Sequence, residues 1–141
     1  MPDKIFLDSN LWIYLLAESR SEEDNEKKLL VANLFERPSI FASSTQVLNE
    51  VANVVLRKYN YSETDTHSFL LRIDGFTEMT ALTKDLSFKA LQLKSRYMLS
   101  WFDSLIVAAA LKLNCDYLYS EDMQDGLIID DSLTIKNPFN L

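Results

Sequence analysis

The chain has 141 residues, 48% of them hydrophobic, which suits one buried core, so we expect a single domain over residues 1–141. With 14 Lys and Arg against 21 Asp and Glu, the net charge of -7 excludes a general polyanion binder working through a basic face; an acidic pocket filled by cations, or a basic protein partner, stays open. The lone Cys115 excludes a disulfide framework and reads as a small buried thiol. Met1-Pro2-Asp3-Lys4 lacks the pattern of a signal peptide and the longest apolar run, 105–111, is too short to span a bilayer, so a cytoplasmic protein is the simplest expectation.

Ile5-Phe6-Leu7 predicts a short strand buried on both faces, and the polar Asp8-Ser9-Asn10 marks where it leaves the core. Asp8 therefore sits at a strand's carboxyl end, where open α/β sheets bind ligands. Residues 10–17 predict a short buried helix capped by Ser9 or Asn10, residues 19–25 a surface loop, and residues 26–36 a second helix stopped by Pro38. Ile40-Phe41-Ala42 reads as a second buried strand. Ser43, three residues ahead of Gln46, suggests a capping box opening a helix that runs to Tyr59. Among its apolar positions, Val47, Leu48, Val51, Val54 and Val55, falls Glu50. A carboxylate there needs a cation, a hydrogen-bonding partner or water, or else it turns outward between its neighbours.

Ser62 predicts the cap of a helix to residue 73, with Asp74-Gly75 a turn before a strand over 76–80. His67, the only histidine, has no second histidine to form a ligand pair and reads as a surface or packing residue. The next helix, 82–97, carries Lys84, Lys89, Lys94 and Arg96, which form either a solvated face or the best candidate for a phosphate-contacting patch. Ser100 opens the most apolar helix, 101–113, where Asp103 either completes a capping box or leans over a cleft, and Asn114 closes it in the left-handed conformation. Residues 117–119 predict a strand with Ser120-Glu121-Asp122 at its tip. Asp125-Gly126 is a turn, and residues 133–135 form a last short strand.

Strands alternating with helices give an α/β fold, a central parallel sheet of about five strands with helices on both faces. If the first strand is central and the fourth is its neighbour, Asp8 and Asp122 face one another, with Asp103 and Glu50 able to enter the same crevice. Crowded carboxylates raise one another's pKa unless hard cations occupy the site. Oxygen-only ligation selects Mg²⁺ or Mn²⁺, and no histidine or cysteine cluster supports zinc. Such a site suits phosphodiester hydrolysis.

The motifs Leu7-Asp8-Ser9-Asn10, Asn49-Glu50, Trp101-Phe102-Asp103-Ser104, Ser120-Glu121-Asp122-Met123-Gln124-Asp125-Gly126 and Asn137-Pro138-Phe139, in this order, resemble those of PIN-domain ribonucleases of the VapC toxin type over nearly the whole chain. The resemblance implies a PIN-like three-layer fold with sheet order 3-2-1-4-5. It implies that Asp8, Glu50, Asp103 and Asp122 match an acidic quartet binding Mg²⁺ or Mn²⁺. Asn10 and Ser120 match positions that orient those carboxylates, and Asp125 lies near a further polar position at the cleft's edge. Ser9 and Ser120 stand where many relatives carry Thr, which keeps the hydroxyl.

The family further implies a homodimer and a cognate VapB-type antitoxin whose basic C-terminal segment reaches the acidic site. The expected activity is metal-dependent endoribonucleolytic cleavage of RNA, with Asp103 or Asp122 accepting the water's proton and no part for His67. Two alternatives stand beside it. One is a solitary or degenerate PIN domain acting as a binding module. The other is a phosphoaspartate-forming α/β protein, although the haloacid dehalogenase type wants an acid where Asn10 stands, and the receiver type wants an acidic pair near the first strand and a late-strand Lys.

Overall fold

Ile5, Phe6 and Leu7 are 5%, 0% and 0% exposed, and because side chains alternate along a strand, burial of all three requires cover on both faces of the sheet. In the computed structural model, which describes residues 2–140, these residues belong to the central strand β1 (Asp3–Leu7). It pairs in parallel with β2 (Ser39–Ser44) on one side and β4 (Tyr117–Tyr119) on the other. Beyond β2 lies β3 (Thr77–Thr80), and beyond β4 lies β6 (Leu133–Lys136), both parallel to their neighbours.

The expected five-strand order 3-2-1-4-5 is corrected to a six-stranded sheet, 3-2-1-4-6-5. The predicted last strand does lie beside β4, but the two-residue β5 (Ile128–Ile129) adds an antiparallel edge to it. The connecting turn holds Asp130 and Asp131 at φ 49° and 57°. Left-handed residues at both central positions suit a tight hairpin, yet neither is the Gly or Asn that would announce one in a sequence. Asp130 is instead held from outside, by Lys89, Arg96 and Tyr97.

Six helices connect these strands: α1 (Ser9–Leu16), α2 (Glu22–Asn33), α3 (Thr45–Arg57), α4 (Glu63–Phe76), α5 (Lys84–Tyr97) and α6 (Trp101–Lys112). The pair α5 and α6 pack together, while α1 packs on α2 and α3. Ser62 and Ser100 cap α4 and α6 as anticipated, and Asn114 adopts φ 56° just past α6. Other boundaries move. The cap of α1 is Asp8 itself, accepting from the Ser9 N–H, in place of Ser9 or Asn10. The cap of α3 is Ser44, not Ser43.

The acidic stretch read as a loop forms the first turn of α2, because Ser21 caps it and Glu22, Glu23 and Asp24 favour the positive end of the helix dipole. Asp74-Gly75 continues α4 to Phe76, where the Thr77 hydroxyl donates to the Ile73 carbonyl. Cys115 is 4% exposed, and burial pushes its thiol up to about 12, so it packs as a small apolar group. Among the described residues no helix is long and apolar enough to cross a membrane.

The β1–β4 contact carries the fold's geometry, so the fully buried Leu118 tests it. Leu118→Ala should cost about 2–5 kcal/mol of unfolding free energy, read as a lower urea midpoint at unchanged slope.

Candidate active site

Because β1 and β4 are parallel neighbours, their carboxyl ends open on the same side, and the chain is tied there by the Asp8 N–H donating to the Tyr119 carbonyl at 3.0 Å. Asp8 leaves β1 in extended conformation, and its carboxylate is gripped at both oxygens. The Ser9 N–H donates to Oδ1 at 2.8 Å and the Ser120 hydroxyl to Oδ2 at 2.9 Å. The buried Ser120 also accepts from the Asp122 and Met123 N–H groups, so one hydroxyl fixes both Asp8 and the loop carrying Asp122. Asn10 Nδ2 donates to Asp122 Oδ2 at 3.2 Å. Glu50, on α3, turns inward and not outward: its Oε1 accepts from the Ser9 hydroxyl at 2.9 Å. Asp103, in the first turn of α6, is half-buried, its N–H donating to the capping Ser100.

The four carboxylates feel one another. Burial pushes Asp8 up to about 6 in spite of its hydrogen bonds from Ser9 and Ser120, and Asp103 and Asp122 push in the same direction. Burial raises Glu50 to about 7, partly offset by the Ser9 hydroxyl, with Asp8 and Asp103 adding to the rise. Asp103 is raised by burial, offset by Ser100 and reinforced by Asp122. No Lys or Arg contributes to holding any of the three in its charged form.

A fifth acid, Glu121, is kept apart. Tyr14 donates to its Oε1 at 2.6 Å and Lys27 to its Oε2 at 3.0 Å, and the Lys27 ammonium sits over the Tyr14 and Phe139 rings. Sequence reasoning missed this cluster, whose members come from α1, α2, the β4 loop and the C-terminal segment. It also undervalued Ser9, seen as a cap and a Thr equivalent while its hydroxyl serves Glu50.

Asp125 accepts from the Asn137 N–H at 2.8 Å and so ties down the C-terminal segment. His67 is exposed on α4. Of the basic residues of α5, Lys89 and Arg96 each reach Asp130 at 3.2 Å, so half of that candidate phosphate patch is bound to the β5–β6 turn.

Among the described residues no group of three or more His, Cys, Asp or Glu side chains is placed to hold a metal ion between them. The donor set nonetheless fits a hard divalent ion: oxygen ligands only, raised proton affinities and no neutralising cation of the chain's own. Mg²⁺ keeps several of its waters and takes one or two carboxylates, so an open arrangement suits it.

An open, mostly parallel sheet with acidic side chains gathered beyond its two central strands defines a class of α/β proteins whose ligands bind at the carboxyl ends of the strands. The chain belongs to the PIN domain family, whose model matches residues 5–124. No curated protein sequence matches it. Among solved structures it is similar to VapC20 of Mycobacterium tuberculosis, a Sarcin-Ricin loop cleaving toxin, at 20% identity and TM-score 0.64 over 84% of this chain and 89% of that one. A toxin-antitoxin complex from Klebsiella pneumoniae matches at 21% identity and TM-score 0.67, covering 97% of this chain and 99% of that one. VapBC2 from Rickettsia felis, bound to a DNA fragment from its promoter, matches at 17% and 0.64, covering 95% and 98%. At these identities the likeness is one of fold.

The raised carboxyls give a pH dependence with a definite sign. Between the ordinary values of Asp8 and Glu50 and their folded values near 6 and 7, the folded state holds more protons than the unfolded one, so stability falls as pH rises through this window. The depressed Asp130 acts in the opposite sense, but only at or below the ordinary carboxylate range. Metal-free protein should therefore melt at higher temperature near about pH 5 than near about pH 8, and Asp8→Asn with Glu50→Gln should flatten the difference in scanning fluorimetry.

Proposed function

We propose that this protein is a metal-dependent endoribonuclease, the toxin of a VapBC-type pair, acting in the cytoplasm. The observation that carries the reading is the convergence of Asp8, Glu50, Asp103 and Asp122, from four separate places in the chain, into one mutually repelling group with no cation of its own. Such a group is unfavourable unless something positive completes it. Membership of the PIN domain family and the shared fold of VapC20 and the toxin-antitoxin complexes support the same assignment.

In this mechanism Asp8, Glu50, Asp103 and Asp122 would hold Mg²⁺ or Mn²⁺ at the cleft, one or two of them directly and the others through the ion's waters. When bound, the ion supplies charge neutralisation at the phosphodiester and acidifies the attacking water. Asp8 is the fixed member, since its two oxygens accept from Ser9 and Ser120 and each keeps a lone pair for a further partner. Asn10 orients Asp122 through Oδ2. Ser9 sets the direction of Glu50. Asp103 and Asp122 are the freer carboxylates, and one of them accepts the proton of the attacking water while the RNA strand's leaving oxygen departs on the opposite side.

The protein works as a homodimer and is silenced by a VapB-type antitoxin whose basic C-terminal segment enters the acidic cleft. A cationic side chain there relieves the same repulsion that a divalent ion relieves, which makes metal and antitoxin competitors for one electrostatic vacancy.

Asp8→Asn should leave the fold intact by circular dichroism and lower RNA cleavage roughly thousandfold, the rate equivalent of about 4 kcal/mol. Chelation should abolish wild-type cleavage and Mn²⁺ should restore it. Undiminished cutting by Asp8→Asn, or by chelated wild type, overturns the assignment.

A further inference from the structure

A cavity of about 540 Å³ opens between the end of α2 and the β4–β6 edge of the sheet. Its volume lies in the range of small-molecule sites and accommodates a nucleotide. None of the four acids lines it, but it is tied to their neighbours: Tyr119, on its wall, directly precedes Ser120, which donates to Asp8, and Asn137, also on its wall, donates to the Glu121 carbonyl at 3.4 Å.

Its charge runs against that of the whole molecule. Arg37 and Lys136 both line it, facing a single carboxylate, Asp125, which accepts from the Asn137 backbone. Neither cation has a carboxylate partner among the described residues.

The other functional groups suit a base. Tyr119 is half-buried at the end of β4, and the side-chain amides of Asn33 and Asn140 offer paired donors and acceptors. The Lys136 ammonium lies 4.5 Å over the ring of Tyr117, outside the cavity's lining, so a cation and an aromatic ring stand together beside it, a pairing that suits single-stranded nucleic acid. The chain's other large cavity, about 480 Å³, offers no such imbalance. There Glu18 and Asp65 oppose Arg20 and Arg72, and Arg20 is engaged by the Tyr59 ring and the Lys58 carbonyl.

We infer that this cavity is a subsite for a nucleotide flanking the cleaved phosphodiester of the RNA strand, with Arg37 and Lys136 on its phosphate and the Tyr119 ring and Asn amides on its base. The inference rests on the nuclease reading, and it makes Arg37 and Lys136 positioning residues that set affinity and register. They take no part in proton transfer.

The test uses a short single-stranded oligoribonucleotide carrying a 5′-phosphate, bound to the Asp8→Asn protein and followed by fluorescence anisotropy against salt. Adding Arg37→Gln and Lys136→Gln should weaken binding by about tenfold or more, and should lower the slope of log affinity against log salt by about 0.7 for each cation removed. Arg37→Lys with Lys136→Arg, which keeps both charges, should retain the slope and shows that the fold is not at fault. Unchanged affinity, or weaker binding at unchanged slope, overturns the inference. So does equal displacement by an acidic peptide, which would assign the cavity to a protein partner. Wild-type cleavage is measured separately: cutting with no effect of the two substitutions on binding defeats the subsite alone, whereas charge-dependent binding without any cutting defeats the nuclease reading and, with it, the placing of the cavity beside a cleaved phosphodiester.

Discussion

The structure is built around an unfavourable interaction, the mutual repulsion of carboxylates held half-buried at the tips of β1 and β4. Left to themselves, such groups would separate into water or recruit lysines. Here the surrounding hydrogen bonds prevent both. Ser9 and Ser120 hold Asp8 and Glu50 with hydroxyls and one backbone N–H, neutral donors that orient a carboxylate without cancelling its charge. Protons compensate in part, which is why Asp8 and Glu50 move up to about 6 and about 7. The site is thus poised for a positive ligand by what its neighbours decline to supply.

The rest of the fold bears the cost. The apolar strand β1 and the near-continuous buried face of α6, from Leu105 to Ala110, anchor the two elements that deliver Asp8 and Asp103. A rigid scaffold of this kind is what allows like charges to be kept together, since a loosely packed one would relax by letting them drift apart. The Tyr14–Lys27–Glu121 cluster makes the arrangement selective. The acid next to Asp122 in sequence is turned away and satisfied on the α1–α2 side, so adjacency along the chain does not translate into membership of the cleft.

Charge is distributed with the same logic. Two of the four cations of α5, Lys89 and Arg96, are drawn to the β5–β6 turn, where they hold Asp130 in a left-handed conformation that would otherwise be strained. Among the described residues, Arg37 and Lys136 form no ion pair. A strongly acidic protein can thereby present locally positive surface where a polyanion would enter, which net charge alone conceals.

By itself the sequence determined the class of fold and singled out four acids as candidates, because both are written in local signals. Ile5-Phe6-Leu7 ends in Asp8, Ser100 stands three residues before Asp103, and Tyr117-Leu118-Tyr119 runs into Ser120 and Asp122, so hydrophobic period and turn chemistry put each acid at the end of an element. Glu50 was ambiguous, since a helical pattern cannot say whether a polar residue between apolar ones points in or out; the Ser9 hydroxyl, distant in sequence, decided it. Tertiary structure alone revealed the β5 edge, held by Tyr97 and two α5 cations through no turn motif, and the start of α2, where dipole and cap outweighed an acidic, loop-like composition. The same holds for Arg37 and Lys136, unpaired among the described residues. Whether a charge has a partner is a question about neighbours in space, and no periodicity along the chain encodes it.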